Sequence, residues 1–127
     1  MNLERELEAE GISVVSGHGM DKDGLYLPDA KIIFINDSLD DIDRKNTILH
    51  ELGHLINSHE SLECEAPSLA SKRELKADRY MIQARIEEYL ADFDNQPDVV
   101  NIDNFLKAYH LQTRYSDLVI QLFHENL

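Results

Sequence analysis

Short apolar runs in the first third of the chain have the length and composition of β-strands. They are rich in β-branched and aromatic residues and are separated by glycine, proline and aspartate, which favour turns. The runs cover 12–16, 24–27 and 31–35, and the third is apolar at almost every position. The pattern predicts a small antiparallel sheet of about three strands, with the third run well buried.

Apolar residues at helical spacing predict two long helices in the middle of the chain. The first covers 39–57, and Ser38 is placed to cap its N-terminus. The second covers 69–92 and should pack inward through positions that include Leu75. Four residues form the apolar stripe of the first helix and are expected in the core: Ile42, Leu49, Leu52 and Ile56.

Shorter helices are predicted at both ends of the chain. One acidic helix covers 2–10 and is stopped by Gly11, because glycine readily leaves the helical conformation. Two more cover 102–109 and 114–125 and form a C-terminal helical pair. The polar residues placed to cap this pair are Asn101 and Thr113.

These elements together predict a single α+β domain over 1–127. The length is sufficient for one hydrophobic core, and an apolar fraction of 43% is ordinary for a globular chain. Residues 1–92 would form the sheet and the two long helices, which would hold any site. Residues 93–127 would add the C-terminal helical pair.

The excess of acidic over basic residues restricts the classes of molecule that the chain is expected to bind. A net charge of −13 disfavours direct binding to nucleic acid or anionic membranes and favours a basic partner. The last predicted helix carries only Arg114 as a cation, which also disfavours a DNA-reading unit. The lone Cys64 cannot form an internal disulfide and is expected to be a free thiol in a reducing compartment. With no apolar run of about 20 residues and no signal-peptide pattern, the protein is expected to be cytoplasmic.

The strongest functional signal is His50-Glu51-Leu52-Gly53-His54, inside the first long helix. Residues four apart share one helix face, so His50 and His54 can direct two imidazole nitrogens to one cation. Zinc binds neutral imidazole well, and a catalytic zinc keeps one position open for water. Glu51 lies near enough to that face to accept a proton from the water. The pattern indicates a metal-dependent hydrolase, although the bare pentapeptide also arises by chance.

A second stretch, Glu74-Leu75-Lys76-Ala77-Asp78, offers the missing ligand. It begins twenty residues after His54, which leaves room for a turn and a returning helix. Glu74 and Asp78 are four apart and share a helix face. One carboxylate can complete a His-His-Glu site, and the other can accept the spare N–H of a histidine ligand. The alternative is a solvated acidic face on a charged helix.

The two stretches resemble the ImmA/IrrE family of metallopeptidases. That family is gluzincin-like and has a His-Glu-x-x-His helix followed by a Glu-x-x-Ala-(Asp/Asn) helix. The resemblance extends upstream through 11–15 and 31–36 and covers most of the chain from Gly11 to about Ile86. Beyond Ile86 the resemblance is loose.

The resemblance implies a zinc-dependent endopeptidase. His50, His54 and Glu74 would bind the metal ion, with manganese or iron as alternatives to zinc. Glu51 would take a proton from the attacking water and later deliver it to the leaving amine. Asp78 is expected to accept a hydrogen bond from a ligand histidine, more readily from His50. Family members typically lie beside helix-turn-helix repressors in phages and mobile elements and cleave them, so the expected partner is such a repressor.

Two other functions remain open from the sequence. The chain could be a non-cleaving antirepressor or a metal-stabilised protein-binding module. Glu51 argues against a purely structural metal site, because such a site needs no general base. The chain could also be a hydrolase of a substrate other than protein.

Several polar side chains outside the two motifs could in principle contribute to the site. His18 and His59 are expected in loops, away from any metal. The group that would stabilise the oxyanion of peptide hydrolysis cannot be identified from the sequence. The candidates for it are Tyr80, Tyr109 and His110.

Overall fold

A computed structural model describes residues 3–56, 67–92 and 100–127, with side chains from residue 72 onward in the second range. The elements in chain order are α1 (Leu3–Ala9), β1 (Ser13–Gly17), β2 (Gly24–Leu27), β3 (Ile32–Asn36), α2 (Asp41–Ile56), α3 (Pro67–Ala91), α4 (Ile102–Ala108), a 3-10 turn (Thr113–Tyr115) and α5 (Ser116–Asn126). The α+β class is therefore confirmed. The predictions for His59 and Cys64 concern residues outside the described ranges. Within those ranges, no helix is long and apolar enough to cross a membrane.

The sheet is mixed, so the prediction of an antiparallel sheet was wrong in one pairing. The strand order is β1-β3-β2, with β2 antiparallel and β1 parallel to β3. The prediction assumed that each strand pairs with the next one. The chain reverses direction between β1 and β2 and again between β2 and β3, so β1 and β3 run the same way. Because β3 takes the central position, it pairs with β1 as a parallel neighbour. That position suits β3, whose Ile33 and Ile35 are fully buried.

The sheet and one face of α2 enclose the first hydrophobic cluster. It also includes Leu7 of α1, which ends where Gly11 adopts a left-handed φ of 86°. Glycine has no Cβ to oppose this conformation, so it ends the helix as expected. The buried residues of the cluster are Leu7, Ile12, Ile33, Ile35, Ile48 and Leu52.

The second hydrophobic cluster joins α3 to the C-terminal helices. The rings of Phe105 and Phe123 meet edge to face at a centroid distance of 5.0 Å, and Tyr89 meets both at 5.5 and 5.7 Å. Such aromatic contacts stabilise a core beyond the area they bury. The cluster also contains Leu49 of α2, so α2 packs on the sheet and on α3 at the same time.

Two residues expected in the core are exposed. Ile56 and Leu75 are each 55% exposed, whereas Leu49 and Leu52 are buried and Ile42 is partly buried. Ile56 is the last residue of α2, beyond the part of that helix that the two clusters cover. Leu75 shares a face of α3 with buried residues, but it lies before Ala77, the first buried position among the described side chains of that helix.

The helix caps differ from the prediction at two of three sites. The carboxylate of Asp40, not the side chain of Ser38, accepts the hydrogen bond from the first turn of α2 at 2.8 Å. Asn101 caps α4 as expected, through a 3.0 Å bond. Thr113 begins a 3-10 turn, and α5 starts only at Ser116. Residues 113–115 therefore form a separate turn between α4 and α5.

A buried arginine connects three helices. Arg85 of α3 is 3% exposed, and its guanidinium donates to Asn46 Oδ1 at 2.7 Å, to the Ile42 carbonyl at 3.0 Å and to Glu88 at 2.9 Å. Asn46 donates in turn to the carbonyl of Tyr109 at 2.7 Å, and the guanidinium lies 5.0 Å from the centre of the Tyr109 ring. Because a buried charge is costly unless it is paired, this network fixes α2, α3 and the end of α4 together.

Candidate metal centre

The two motif helices approach most closely where each carries a small residue. A Cβ built on Gly53 would lie 2.9 Å from the Cα of Ala77 and 3.1 Å from the Cβ of Tyr80. Ala77 is itself fully buried. The glycine in the first motif and the alanine in the second therefore allow α2 and α3 to cross at close range. This crossing holds the two motifs side by side.

The crossing brings the three predicted ligands together. Glu74 Oε2 lies 2.9 Å from His50 Nε2, and Glu74 Oε1 lies 3.0 Å from His54 Nε2. One donor atom from each residue lies within 4.8 Å of the other two. Two imidazole nitrogens and a carboxylate are the donors that a hydrolytic zinc site uses, so the residues present fit a metal ion.

A hydrogen bond orients His50 from its other side. Asp78 Oδ1 lies 2.8 Å from His50 Nδ1, and Asp78 Oδ2 accepts a 2.9 Å bond from the hydroxyl of Tyr115. When Nδ1 donates to Asp78, neutral His50 presents the lone pair of Nε2 on the side of Glu74. Such a bond fixes the imidazole tautomer and makes the ligand nitrogen a better donor.

The charge around His50 favours its cationic form. Burial alone would lower the pKa of His50, but the hydrogen bond and charge of Asp78, with the charges of Glu74 and Glu51, outweigh burial and raise it. The imidazole therefore lies between two carboxylates that attract positive charge on both ring nitrogens. The same carboxylates would attract a metal cation bound at Nε2.

Glu51 lies beside the metal-ligand group, next to the start of β2. It is partly buried, and burial raises the pKa of its carboxyl although the two nearby histidines oppose this. A Cβ on Gly24 would come 3.4 Å from the Glu51 side chain and 2.5 Å from that of Thr47. The absence of a side chain at Gly24 therefore leaves room for Thr47, which lies one turn before Glu51 on the same helix. A carboxyl with a raised pKa accepts and returns protons nearer neutral pH than an ordinary glutamate.

A cavity of about 500 Å³ opens over this group. Its walls come from the start of β2, one face of α2, one face of α3 and the turn before α5. The volume suits a short peptide segment or a small molecule. The lining includes Asp23, Gly24, Thr47, His50, Glu51, Glu74, Asp78, Arg114 and Tyr115.

Arg114 and Tyr115 were not identified as site residues from the sequence. They belong to neither motif, and the packing of α4 and α5 on α3 brings them to the cavity. The three residues considered as oxyanion stabilisers are not among its lining residues. Tyr80 packs against the helix crossing, and His110 lies 3.1 Å from Asp43 at the other end of α2.

A second group of potential ligands lies outside the cavity. Asp40, Asp43 and His110 bring three donor atoms within 4.8 Å of one another near the N-terminus of α2. Asp40 and His110 are exposed, and Asp40 already caps the helix. His18 is likewise outside the centre, exposed and 3.1 Å from Asp37.

A comparison with protein-family models agrees with the geometry of this centre. The model of the Peptidase_M78 family, described as the IrrE N-terminal-like domain, matches residues 7–96. The chain belongs to this family. The match runs from the last residues of α1 through α3, contains both stretches His50–His54 and Glu74–Asp78, and stops before α4. No curated protein matched the chain. Membership supports a metallopeptidase-type function, and the resemblance inferred from the two motifs is confirmed.

Proposed function

We propose that the protein is a zinc-dependent endopeptidase that hydrolyses a peptide bond in a protein partner. The observation that carries this proposal is the convergence of His50 Nε2 and His54 Nε2 on the two oxygens of Glu74. Family membership supports the peptidase class. The partly buried carboxyl of Glu51, next to the ligand group, favours a catalytic over a structural metal site.

The metal would be held by His50, His54 and Glu74, and the Asp78 carboxylate would orient His50. When bound, zinc supplies an acidified water and polarises the carbonyl of the scissile bond. Manganese or iron could bind the same imidazole and carboxylate donors.

Glu51 would act first as the general base and then as the general acid of the reaction. It takes one proton from the attacking water as the oxygen of that water bonds to the carbonyl carbon, and the C=O π electrons move onto the carbonyl oxygen. When the oxyanion collapses, the C–N bond breaks and Glu51 returns the proton to the leaving amine. The same carboxyl can perform both transfers, because it is ionised before the first and protonated before the second.

The sheet offers the substrate a place beside Glu51. Among the described residues, β2 pairs only with β3, so its other edge could offer backbone groups to an extended peptide. Gly24, the first residue of β2, lines the cavity. A peptide that adds to this edge would pass Glu51 without requiring a particular sequence, because strand addition uses main-chain hydrogen bonds.

The proposed partner is a helix-turn-helix transcriptional repressor of a phage or mobile element, cleaved in the cytoplasm. Such repressors carry basic surfaces that contact DNA, and the net charge of −13 would favour their approach. Direct binding of this chain to nucleic acid or membrane is not proposed.

The test is incubation of purified protein with a helix-turn-helix repressor from the same genome, with and without a chelator. We expect wild-type protein to cut the repressor and to stop when zinc is removed. Glu51→Gln should hold zinc but not cleave, because an amide cannot take the proton. Glu87→Gln, an identical change at an exposed position of α3, is the matched control and should cleave normally.

Two outcomes would contradict the proposal. Cleavage by Glu51→Gln at the wild-type rate would remove Glu51 from the mechanism. Release of the repressor from its DNA by both wild type and Glu51→Gln, with the repressor intact, would favour the non-cleaving antirepressor.

A further inference from the structure

The described lining of the cavity contains one arginine among several carboxylates. Of the described residues that line it, Arg114 is the one arginine or lysine, while Asp23, Glu51, Glu74 and Asp78 are acidic. Within the described part of the chain, Arg114 forms no ion pair with a carboxylate. Its hydrogen bonds go to neutral groups, the side-chain oxygens of Gln112 and Tyr115. The positive charge is therefore left for a ligand of the cavity.

Three contacts within the protein orient the guanidinium of Arg114, although the residue is exposed. Nε donates to Gln112 Oε1 at 2.6 Å, and Nη2 donates to the Tyr115 hydroxyl at 2.6 Å. The guanidinium carbon also lies 4.4 Å from the centre of the Tyr115 ring. These three contacts restrain a side chain that would otherwise lose considerable entropy on binding. Nη1 has no hydrogen bond within the described residues.

Arg114 is also close to the metal-ligand group. Two hydrogen bonds, of 2.6 and 2.9 Å, lead from its Nη2 through the Tyr115 hydroxyl to Asp78 Oδ2. A third contact of 2.8 Å joins Asp78 Oδ1 to His50 Nδ1. A fixed donor with an unused N–H beside the reacting centre is the arrangement that stabilises a developing negative charge.

We propose that Arg114 is a catalytic residue that binds the oxygen of the scissile carbonyl and stabilises the oxyanion formed there. The assignment rests on the proposed peptidase function. Water adds to the carbonyl carbon, the π electron pair moves to the carbonyl oxygen, and Glu51 holds the water proton. Arg114 donates through Nη1 to that oxygen and transfers no proton. When the C–N bond breaks, the electron pair returns to re-form the C=O bond.

Tyr115 is the other C-terminal residue at the cavity, and it has a different role. Its hydroxyl donates to Asp78 and accepts from Arg114, so its one proton is already used. Burial, with the charge and hydrogen bond of Asp78, raises the pKa of Tyr115 to about 12. Tyr115 is thus a positioning residue, which holds Arg114 on one side and Asp78 on the other.

The test compares Arg114→Met, Arg114→Lys and Arg79→Met with wild type, all loaded with zinc. Methionine keeps an apolar stem and removes every donor. Arg79 lies on α3, pairs with Glu125 and does not line the cavity. Arg79→Met changes the net charge by the same amount as Arg114→Met and therefore serves as the control. Zinc content, thermal unfolding, and kcat and KM on a peptide that spans the repressor cleavage site would be measured for each.

We expect Arg114→Met to lower kcat about 10²–10³-fold with KM nearly unchanged, as for loss of one oxyanion donor. Arg114→Lys should recover part of kcat, and Arg79→Met should match wild type. A second readout does not depend on turnover. In a calorimetric titration with inorganic phosphate, a tetrahedral anion, Arg114→Met should bind phosphate at least about tenfold more weakly than wild type.

The outcomes separate this assignment from the proposed function. If wild type neither holds zinc nor cleaves, both fail together. If wild type cleaves and Arg114→Met has the same kcat and phosphate affinity, only the assignment of Arg114 fails. A rise in KM with unchanged kcat would make Arg114 a substrate-docking residue and would also overturn the assignment.

Discussion

A single methyl group added at the helix crossing should disturb the metal centre. In Gly53→Ala the new Cβ would lie 2.9 Å from the Cα of Ala77 and 3.1 Å from its carbonyl oxygen. Carbon atoms pack at about 3.5–4.0 Å, so the helices would have to separate by roughly half an ångström or more. The closest neighbour is backbone, which cannot rotate away. Glu74 lies one turn from Ala77 on the same helix and would move with it.

The magnitude follows from two opposing terms. Alanine is a better helix former than glycine by about 1 kcal/mol. Overpacking of a tight contact costs about 1–3 kcal/mol. The apo protein should therefore lose about 0–2 kcal/mol of unfolding free energy, the packing cost less the gain in helix propensity. Metal binding should suffer more, because ligand distances must hold to about 0.2 Å.

Two measurements check the prediction for Gly53→Ala. Chemical denaturation without metal gives the change in unfolding free energy, and competition with a chelating dye gives the zinc affinity. We expect zinc binding weakened about 10–100-fold, the range seen when the support of a ligand is lost. An apo protein stabilised by about 1 kcal/mol with unchanged zinc affinity would show that helix propensity alone acts and that the crossing is not tight.

Two further predictions concern carboxylates of α3. Asp78→Ala should weaken zinc binding about 10–100-fold. Asp78→Asn should weaken it less, because the amide oxygen can still accept a hydrogen bond from His50. Equal zinc affinity of wild type and both variants in a zinc titration would show that Asp78 is only a surface charge. For Glu88, burial opposes ionisation, but its bonds to Arg85 and Lys45 outweigh burial and lower its pKa. A lowered folded pKa means stability that is present above the ordinary glutamate pKa and lost as pH falls through the folded value. Denaturation curves from pH 6 to 3 should thus show a smaller acid loss in Glu88→Gln, and equal slopes would refute the pairing.

The sequence was sufficient to predict most of the elements and the residues of each motif that share a helix face, because those features depend on local spacing. Residues four apart on a helix share a face whatever the rest of the chain does, so His50 with His54 and Glu74 with Asp78 could be paired in advance. Strand runs and turn residues are local in the same sense. The α+β class followed from their order.

The features that were missed depend on distant packing. The parallel pairing of β1 with β3 depends on which strand takes the centre, and the runs alone do not specify this. Arg114 and Tyr115 reach the cavity because Phe105 and Phe123 pack on α3, and no spacing rule relates residues 113–115 to the motifs. The exposure of Ile56 reflects where the covering elements end, which periodicity does not report.

The network around Arg85 has a consequence for how the molecule comes apart. The family match ends at residue 96, yet Asn46 and Arg85 within the match are bonded or stacked to Tyr109 beyond it. If α4 and α5 detached, a guanidinium would lose its aromatic neighbour and Asn46 its acceptor, while the aromatic cluster on α3 opened to water. Local opening of the C-terminal helices should therefore require a large free energy. The opening free energies measured there by amide hydrogen exchange should approach the free energy of global unfolding. We therefore expect the cooperative folding unit to extend past residue 96, where the family match ends, and to include α2, α3 and Arg114.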